Sequence, residues 1–256
     1  ELTWTVNAYT LTFASCILMS SALADRFGRR TVFLLGVFIF TASSAWCGIS
    51  DNIGALITAR TLQGIGGSAV MPLSLALLST SVPERLRATA IGIWGGVAGL
   101  GVALGPLIGG AVVEGMNWHA IFWINVPFGL LCIPLVWITI PESRGRPEPL
   151  DFLGLALVGI GLFGITYGIV RGNDAGWTSM EVLTALIGGV LILASFIWWE
   201  SHAASPLLPL RLFSNRSFSM ANIVGFLFFF GIFGAIFILI QFLQVVQGAN
   251  PLEAGL

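Results

Sequence analysis

The chain has 256 residues, of which 56% are apolar and 9% charged, with a net charge of −1. A soluble domain carries about 25% charged residues, so this much apolar side chain has no soluble interior to fill, and a bilayer is the environment that accommodates it. The near-neutral charge points to no nucleic-acid partner, and the three cysteines (Cys16, Cys47, Cys132) lie far apart inside apolar runs, as small core hydrophobes rather than a disulfide or metal site.

A membrane-spanning helix needs about 20 mostly apolar residues. Eight runs meet that requirement: Leu2–Leu23, Thr31–Ile49, Gly54–Val82, Ala88–Val113, Ala120–Ile140, Phe152–Val170, Val182–Trp199 and Phe218–Val246. They are too long for barrel strands and do not alternate. Backbone groups in lipid must pair within their own segment, so each run is predicted to be helical. The expected fold is all-α, a polytopic transmembrane helical bundle. The chain opens on Glu1, with neither an initiator methionine nor a signal peptide, and stops at Leu256 just after a turn signal. Both ends are therefore expected to lie inside a longer protein.

Basic residues set the orientation of such a bundle. There is no lysine. The odd-numbered breaks between runs hold Arg26, Arg29, Arg30, Arg85, Arg87, Arg144, Arg146, Arg211 and Arg216, and the even-numbered breaks hold Arg171. Loops 24–30, 83–87, 141–151 and 200–217 are thereby predicted to be cytoplasmic, with residue 1 on the outer side of the membrane. The last of these loops contains the apolar stretch Leu207–Phe213, which fits either a segment lying on the inner surface or a plain linker.

Three strings stand out in chain order. The first loop contains Asp25-Arg26-Phe27-Gly28-Arg29-Arg30. Gly28 permits a tight turn, and Asp25 can accept from an arginine or face a helix N-terminus. This string is either a charged latch that holds two bundles together in one state and releases them in the other, or only a topology signal. The third run carries Arg60-Thr61-Leu62-Gln63-Gly64-Ile65-Gly66-Gly67, and Arg60 is the one arginine inside a run. A cation there is costly unless it pairs or reaches water. Gln63, one turn on, shares its face, while the competing reading has Arg60 snorkelling to the outer interface. The fourth run contains Gly101, Gly105 and Gly109 at four-residue spacing, followed by Gly110 and interrupted by Pro106. Such a stripe lets helices approach closely, and the proline invites a bend.

Taken together, the three strings resemble the loop, fourth-span and fifth-span motifs of the major facilitator superfamily, and in particular its fourteen-span drug:proton antiporters. The opening Trp4, Asn7 and Tyr9, the segment Trp118–Gly129 and the segment Pro251–Gly255 agree with that register. Ser21 stands where the loop motif usually opens with glycine. The resemblance implies that the eight runs are the second to ninth spans. It implies an N-terminal transporter bundle over residues 1–140, two additional spans over 141–200, a cytoplasmic linker over 201–217, and the start of a C-terminal bundle over 218–256. It further implies that Arg60, with Gln63, takes part in proton coupling and that the glycine and proline string belongs to an antiporter helix. Asn7, Tyr9, Asn222, Gln241 and Gln244 are candidates for lining a cavity, although polar groups at such positions equally serve as interhelical contacts.

The implied activity is export of amphipathic drugs or related small molecules, by alternating access in exchange for protons, across a bacterial inner membrane. Partners would be the small-molecule substrate, protons, the lipid bilayer and an accessory efflux protein, with no cofactor beyond the proton gradient. An exporter of a specific metabolite or siderophore is the alternative within the superfamily. A membrane-embedded enzyme would need a His, Asp, Glu or Cys cluster within the spans, and a channel a repeated charged ring; neither pattern occurs in the sequence. No Walker-type phosphate loop is present either. No run holds an acidic residue near its middle, since Glu114 and Glu181 lie at ends. The family's proton-carrying carboxylate is expected in the span preceding this chain.

Overall fold

In the computed structural model, residues 2–145, 151–203 and 206–248 are described. They form eight long helices: α1 (Leu2–Phe27), α2 (Arg29–Gly48), α3 (Ile53–Ser81), α4 (Arg87–Gly115), α5 (Ala120–Thr139), α6 (Phe152–Ala175), α7 (Met180–Glu200) and α8 (Arg216–Gln241). Short 3₁₀ turns at Glu84–Leu86 and Leu210–Ser214 join them, and α8 continues into a π turn over Phe242–Val246. All eight are long and apolar enough to cross a membrane, so the predicted span count holds. Helix ends follow capping chemistry. Asn52, Asp151, Ser179 and Asn215 each accept a backbone N–H in the first turn of the helix they precede.

One compact unit comprises Glu1–Ile91 and Phe122–Leu207. In it α3 lies against both α1 and α2, because its glycines leave no side chain in the way. A Cβ on Gly66 would stand 2.5 Å from the Phe40 amide nitrogen, and one on Gly64 would collide with Thr12. Ala24, Phe33, Leu34, Val37, Ala69, Leu73, Leu77 and Val136 make one buried apolar cluster in it, and Cys47, Leu56 and Ala59 another. Polar side chains also cross between these helices, with Ser20 and Ser68 hydroxyls 2.8 Å apart and Thr12 Oγ1 donating to the Thr61 carbonyl at 3.0 Å. Contacts of this kind replace the hydrophobic drive that lipid cannot supply between helices.

Helices α6 and α7 form a hairpin closed at both ends. At one end Trp199 Nε1 donates to Asp151 Oδ2 at 2.6 Å, and at the other Glu181 accepts from Arg171 Nε at 2.9 Å and from the Tyr167 hydroxyl at 2.6 Å. This hairpin packs on α1, where the Trp4 and Tyr167 rings lie 5.9 Å apart. Helices α6 and α7 thus belong to the same compact unit as α1–α3.

The second unit comprises Gly92–Ile121 and Leu208–Leu256. Its α8 has no buried residue and bears Phe226, Phe228, Phe229, Phe230, Phe233 and Phe237 exposed. Between α7 and α8, Leu212 and Phe213 are exposed, and the Phe213 ring meets Phe218 edge-on at 5.3 Å. The Pro251–Gly255 match lies outside the described residues.

Candidate functional site

The structure turns Arg60 inward. It lies about two turns into α3, whose start is capped by Asn52. Arg60 Nε donates to the Thr5 carbonyl of α1 at 2.8 Å, and Nη1 donates to Gln63 Oε1 at 2.5 Å. The guanidinium carbon lies 4.4 Å from the centre of the Tyr9 ring and 5.8 Å from that of Phe122. Two aromatic faces and two acceptors therefore hold one cation, which offsets part of the cost of taking it out of water. Its Nη2 edge has no partner among the described residues.

Gln63 itself is 1% exposed and donates through Nε2 to Ser44 Oγ of α2 at 2.6 Å. Arg60 and Gln63, which the sequence paired, are thus brought together with Tyr9, which it singled out separately, and Ser44, Thr5 and Phe122 join them. Ser44 stands in an apolar run with no motif around it, and Phe122 lies within the Trp118–Gly129 segment without being marked out from its neighbours. Thr5 contributes only a carbonyl, which no sequence pattern reveals.

The first loop is built as a second constellation. Gly28 adopts φ +114°, open only to glycine, and leaves α2 without a side chain at its cap. Its place is taken by the Glu142 carboxylate, from the segment after α5. Glu142 accepts from the Arg30 amide at 2.9 Å, the Thr31 amide at 3.1 Å and the Thr31 hydroxyl at 2.5 Å, as well as from the Ser143 amide at 3.0 Å. An anion at a helix start satisfies amides that have no intrahelical partner and complements the helix dipole. Burial pushes the Glu142 carboxyl up, but these hydrogen bonds outweigh it and hold the group below its ordinary value. Glu142 is therefore ionised at neutral pH, and its cap is lost only as pH falls through that lowered value.

The reciprocal contact comes from Arg30, whose Nη1 donates to the Ile140 and Trp137 carbonyls at 3.0 and 3.3 Å at the C-terminal end of α5. Two backbone bonds stitch the same segments, Arg29 N to Ser143 O at 2.8 Å and Gly145 N to Asp25 O at 3.0 Å. Asp25 pairs with Arg29 at 2.7 Å, and Arg26 lies over the Phe27 ring at 5.8 Å. The described partners of this loop all belong to the first compact unit, so none of these contacts joins it to a second bundle. Sequence reasoning missed Glu142. An acid directly after Pro141, where a span ends, was the available signal.

The remaining candidates are not gathered at either place. Asn222 donates to the Phe218 carbonyl of its own helix at 2.8 Å, and Gln241 and Gln244 are exposed on the last turns of the second unit. Asn7 is half-buried on α1. Gly101, Gly105 and Gly109 lie on α4, which continues through position 106 to Gly110 and beyond, and a Cβ on any of those three would meet nothing within 4 Å. No group of three His, Cys, Asp or Glu suited to a metal occurs among the described residues.

Comparison with known proteins gives this arrangement a family. The Methylenomycin A resistance protein of Bacillus subtilis (strain 168) is 40% identical over 255 residues, covering 99% of this chain and 55% of that protein. The Tetracenomycin C resistance and export protein of Streptomyces glaucescens is 36% identical over 257 residues, covering 100% of this chain and 48% of that protein. The chain thus spans about half the length of the curated relatives it matches. Among solved structures, the POT family transporter PepTSo aligns with a TM-score of 0.56 at 17% identity, over 82% of this chain and 48% of that one. At that identity the likeness concerns the fold. The family model for the Major Facilitator Superfamily matches residues 1–256. The chain is a member of the Major Facilitator Superfamily.

Proposed function

We propose that the chain is part of a proton-coupled exporter of amphipathic small molecules in a bacterial inner membrane. The observation that carries this reading is Arg60: a fixed cation inside a span, gripped on three sides and open at Nη2. Guanidinium binds a carboxylate as a planar fork. With no acidic residue in the middle of these spans, that carboxylate would come from the remainder of the protein. Deprotonated, it pairs with Arg60; protonated, it releases the pair, so proton uptake is tied to a change of conformation. Export as the direction is supported by the names of the two bacterial relatives, which are resistance proteins. The α4 glycine stripe with Pro106 would serve as the packing face on which such a carrier bends. The charged latch would couple the α1–α2 turn to the segment following α5 during that change. No cofactor beyond the proton gradient is required by this scheme, and an accessory efflux protein would act outside it.

A second reading, export of one antibiotic-like metabolite, is favoured by the fact that both relatives are named for a single antibiotic. The complete transporter in liposomes separates these readings. Saturable exchange of a fluorescent lipophilic cation that depends on an imposed pH gradient is expected. Exchange confined to one antibiotic class would favour the narrower reading, and passive ion current without exchange would sink both.

The proposed sidedness follows from the arginine asymmetry and has its own check. Cysteines placed one at a time at Asn173 and Glu84, both exposed, are expected to react with an impermeant reagent from outside and not from outside, respectively. The reverse labelling pattern would overturn the orientation.

A further inference from the structure

Resting on the proposed role of Arg60, we infer that Ser44 is a positioning residue for proton coupling, acting on Arg60 through the amide of Gln63. The chemistry determines which way that amide points. A guanidinium carries donors only, so Gln63 must turn its oxygen to Arg60 Nη1 at 2.5 Å. Its nitrogen then faces α2, where Ser44 Oγ receives it at 2.6 Å. Ser44 is 0% exposed and Gln63 1%, so water has no access to replace either partner. A buried amide donor left without an acceptor is destabilised and turns away. Turning the amide would also remove the oxygen from Arg60.

Two features separate this from ordinary packing. Thr41 and Ser50 of the same helix region donate back to carbonyls four residues earlier, Val37 and Trp46, at 2.7 Å. Among the described residues Ser44 makes no such bond, and its hydroxyl serves α3. In addition, the chain of contacts crosses three helices. It runs from Ser44 on α2 through Gln63 and Arg60 on α3 to the Thr5 carbonyl and Tyr9 ring on α1. A shift of α2 against α3 therefore changes how the guanidinium is aimed, which gives the structure a route from helix movement to proton affinity.

The test uses the complete transporter in everted membrane vesicles, following drug efflux as a function of pH together with drug affinity. Ser44→Ala is expected to lower the proton-driven rate about tenfold and to move its pH midpoint by about one unit, with drug Kd unchanged. Ser44→Cys, close in size and a weaker acceptor, is expected to fall between Ser44→Ala and wild type. In a Gln63→Leu background, Ser44→Ala is expected to add nothing, because both act through one contact. A wild-type pH profile in Ser44→Ala and Ser44→Cys, with Arg60→Lys inactive, overturns this inference alone. Multiplying effects in the double variant do the same, since they describe independent packing losses. Normal transport by Arg60→Lys overturns the Arg60 reading and this one with it.

Discussion

Arg60→Lys is expected to reduce proton-driven efflux by the complete transporter about 100-fold, as far as Arg60→Ala does. Lysine keeps the charge and alanine removes it, so equal losses in the two isolate geometry from charge. Lysine preserves the cation and its ability to reach the interface. It has no planar fork, and it cannot hold the Thr5 carbonyl and the Gln63 oxygen at once in the arrangement that guanidinium makes at 2.8 and 2.5 Å. It also forfeits the flat contact with the Tyr9 ring at 4.4 Å. Expression and drug binding are expected to remain close to wild type, because the lost contacts concern the coupling ion. Initial efflux rates in everted vesicles under an imposed pH gradient provide the measurement. Transport by Arg60→Lys within a few-fold of wild type would mean that the charge alone suffices, and Arg60 would leave the mechanism.

The second large effect is expected at Gly28. Its φ of +114° strains any other residue by about 1–3 kcal/mol. A Cβ there would also stand 2.6 Å from the Glu142 carboxyl carbon. A carboxylate at the end of a free side chain would swing away at little cost, but Glu142 is tied to the Arg30, Thr31 and Ser143 amides and to the Thr31 hydroxyl. Displacing it forfeits bonds to a charged group, worth about 1.5–3 kcal/mol each. Gly28→Ala is therefore expected to destabilise the first unit by more than about 2 kcal/mol. The thermal unfolding midpoint of the purified full-length protein should drop clearly. Glu142→Gln keeps the backbone and the shape, so it should produce a smaller drop, and combining it with Gly28→Ala should cost less than the sum. A Gly28→Ala protein with an unchanged midpoint would mean that the turn relaxes freely, and the description of the latch would fail.

Eight spans and their helical nature were legible in the residues alone, for a direct physical reason. A segment crossing hydrocarbon must be about 20 residues long and must pair its own backbone, and both requirements act on each run separately. Arg60 was legible as a candidate for the same reason, since a permanent cation in an apolar run is conspicuous wherever it points. Its direction was not legible. Snorkelling outward and turning inward use the same residue, and the choice rests on Thr5, Tyr9, Gln63 and Phe122, contributed by three helices. Ser44 was invisible, because a serine in an apolar run reads as a small filler until a buried amide is found against it. Glu142 was invisible for a related reason: it caps a helix that begins more than a hundred residues earlier in the chain. The place of α6 was also decided by packing, since the Tyr167 ring lies against Trp4 and Gly159 lies beside the Ser15 carbonyl, which put α6 on α1. Composition and period act within a segment and can be read there, whereas the aim of a side chain depends on which neighbours surround it, and only the tertiary structure supplies those.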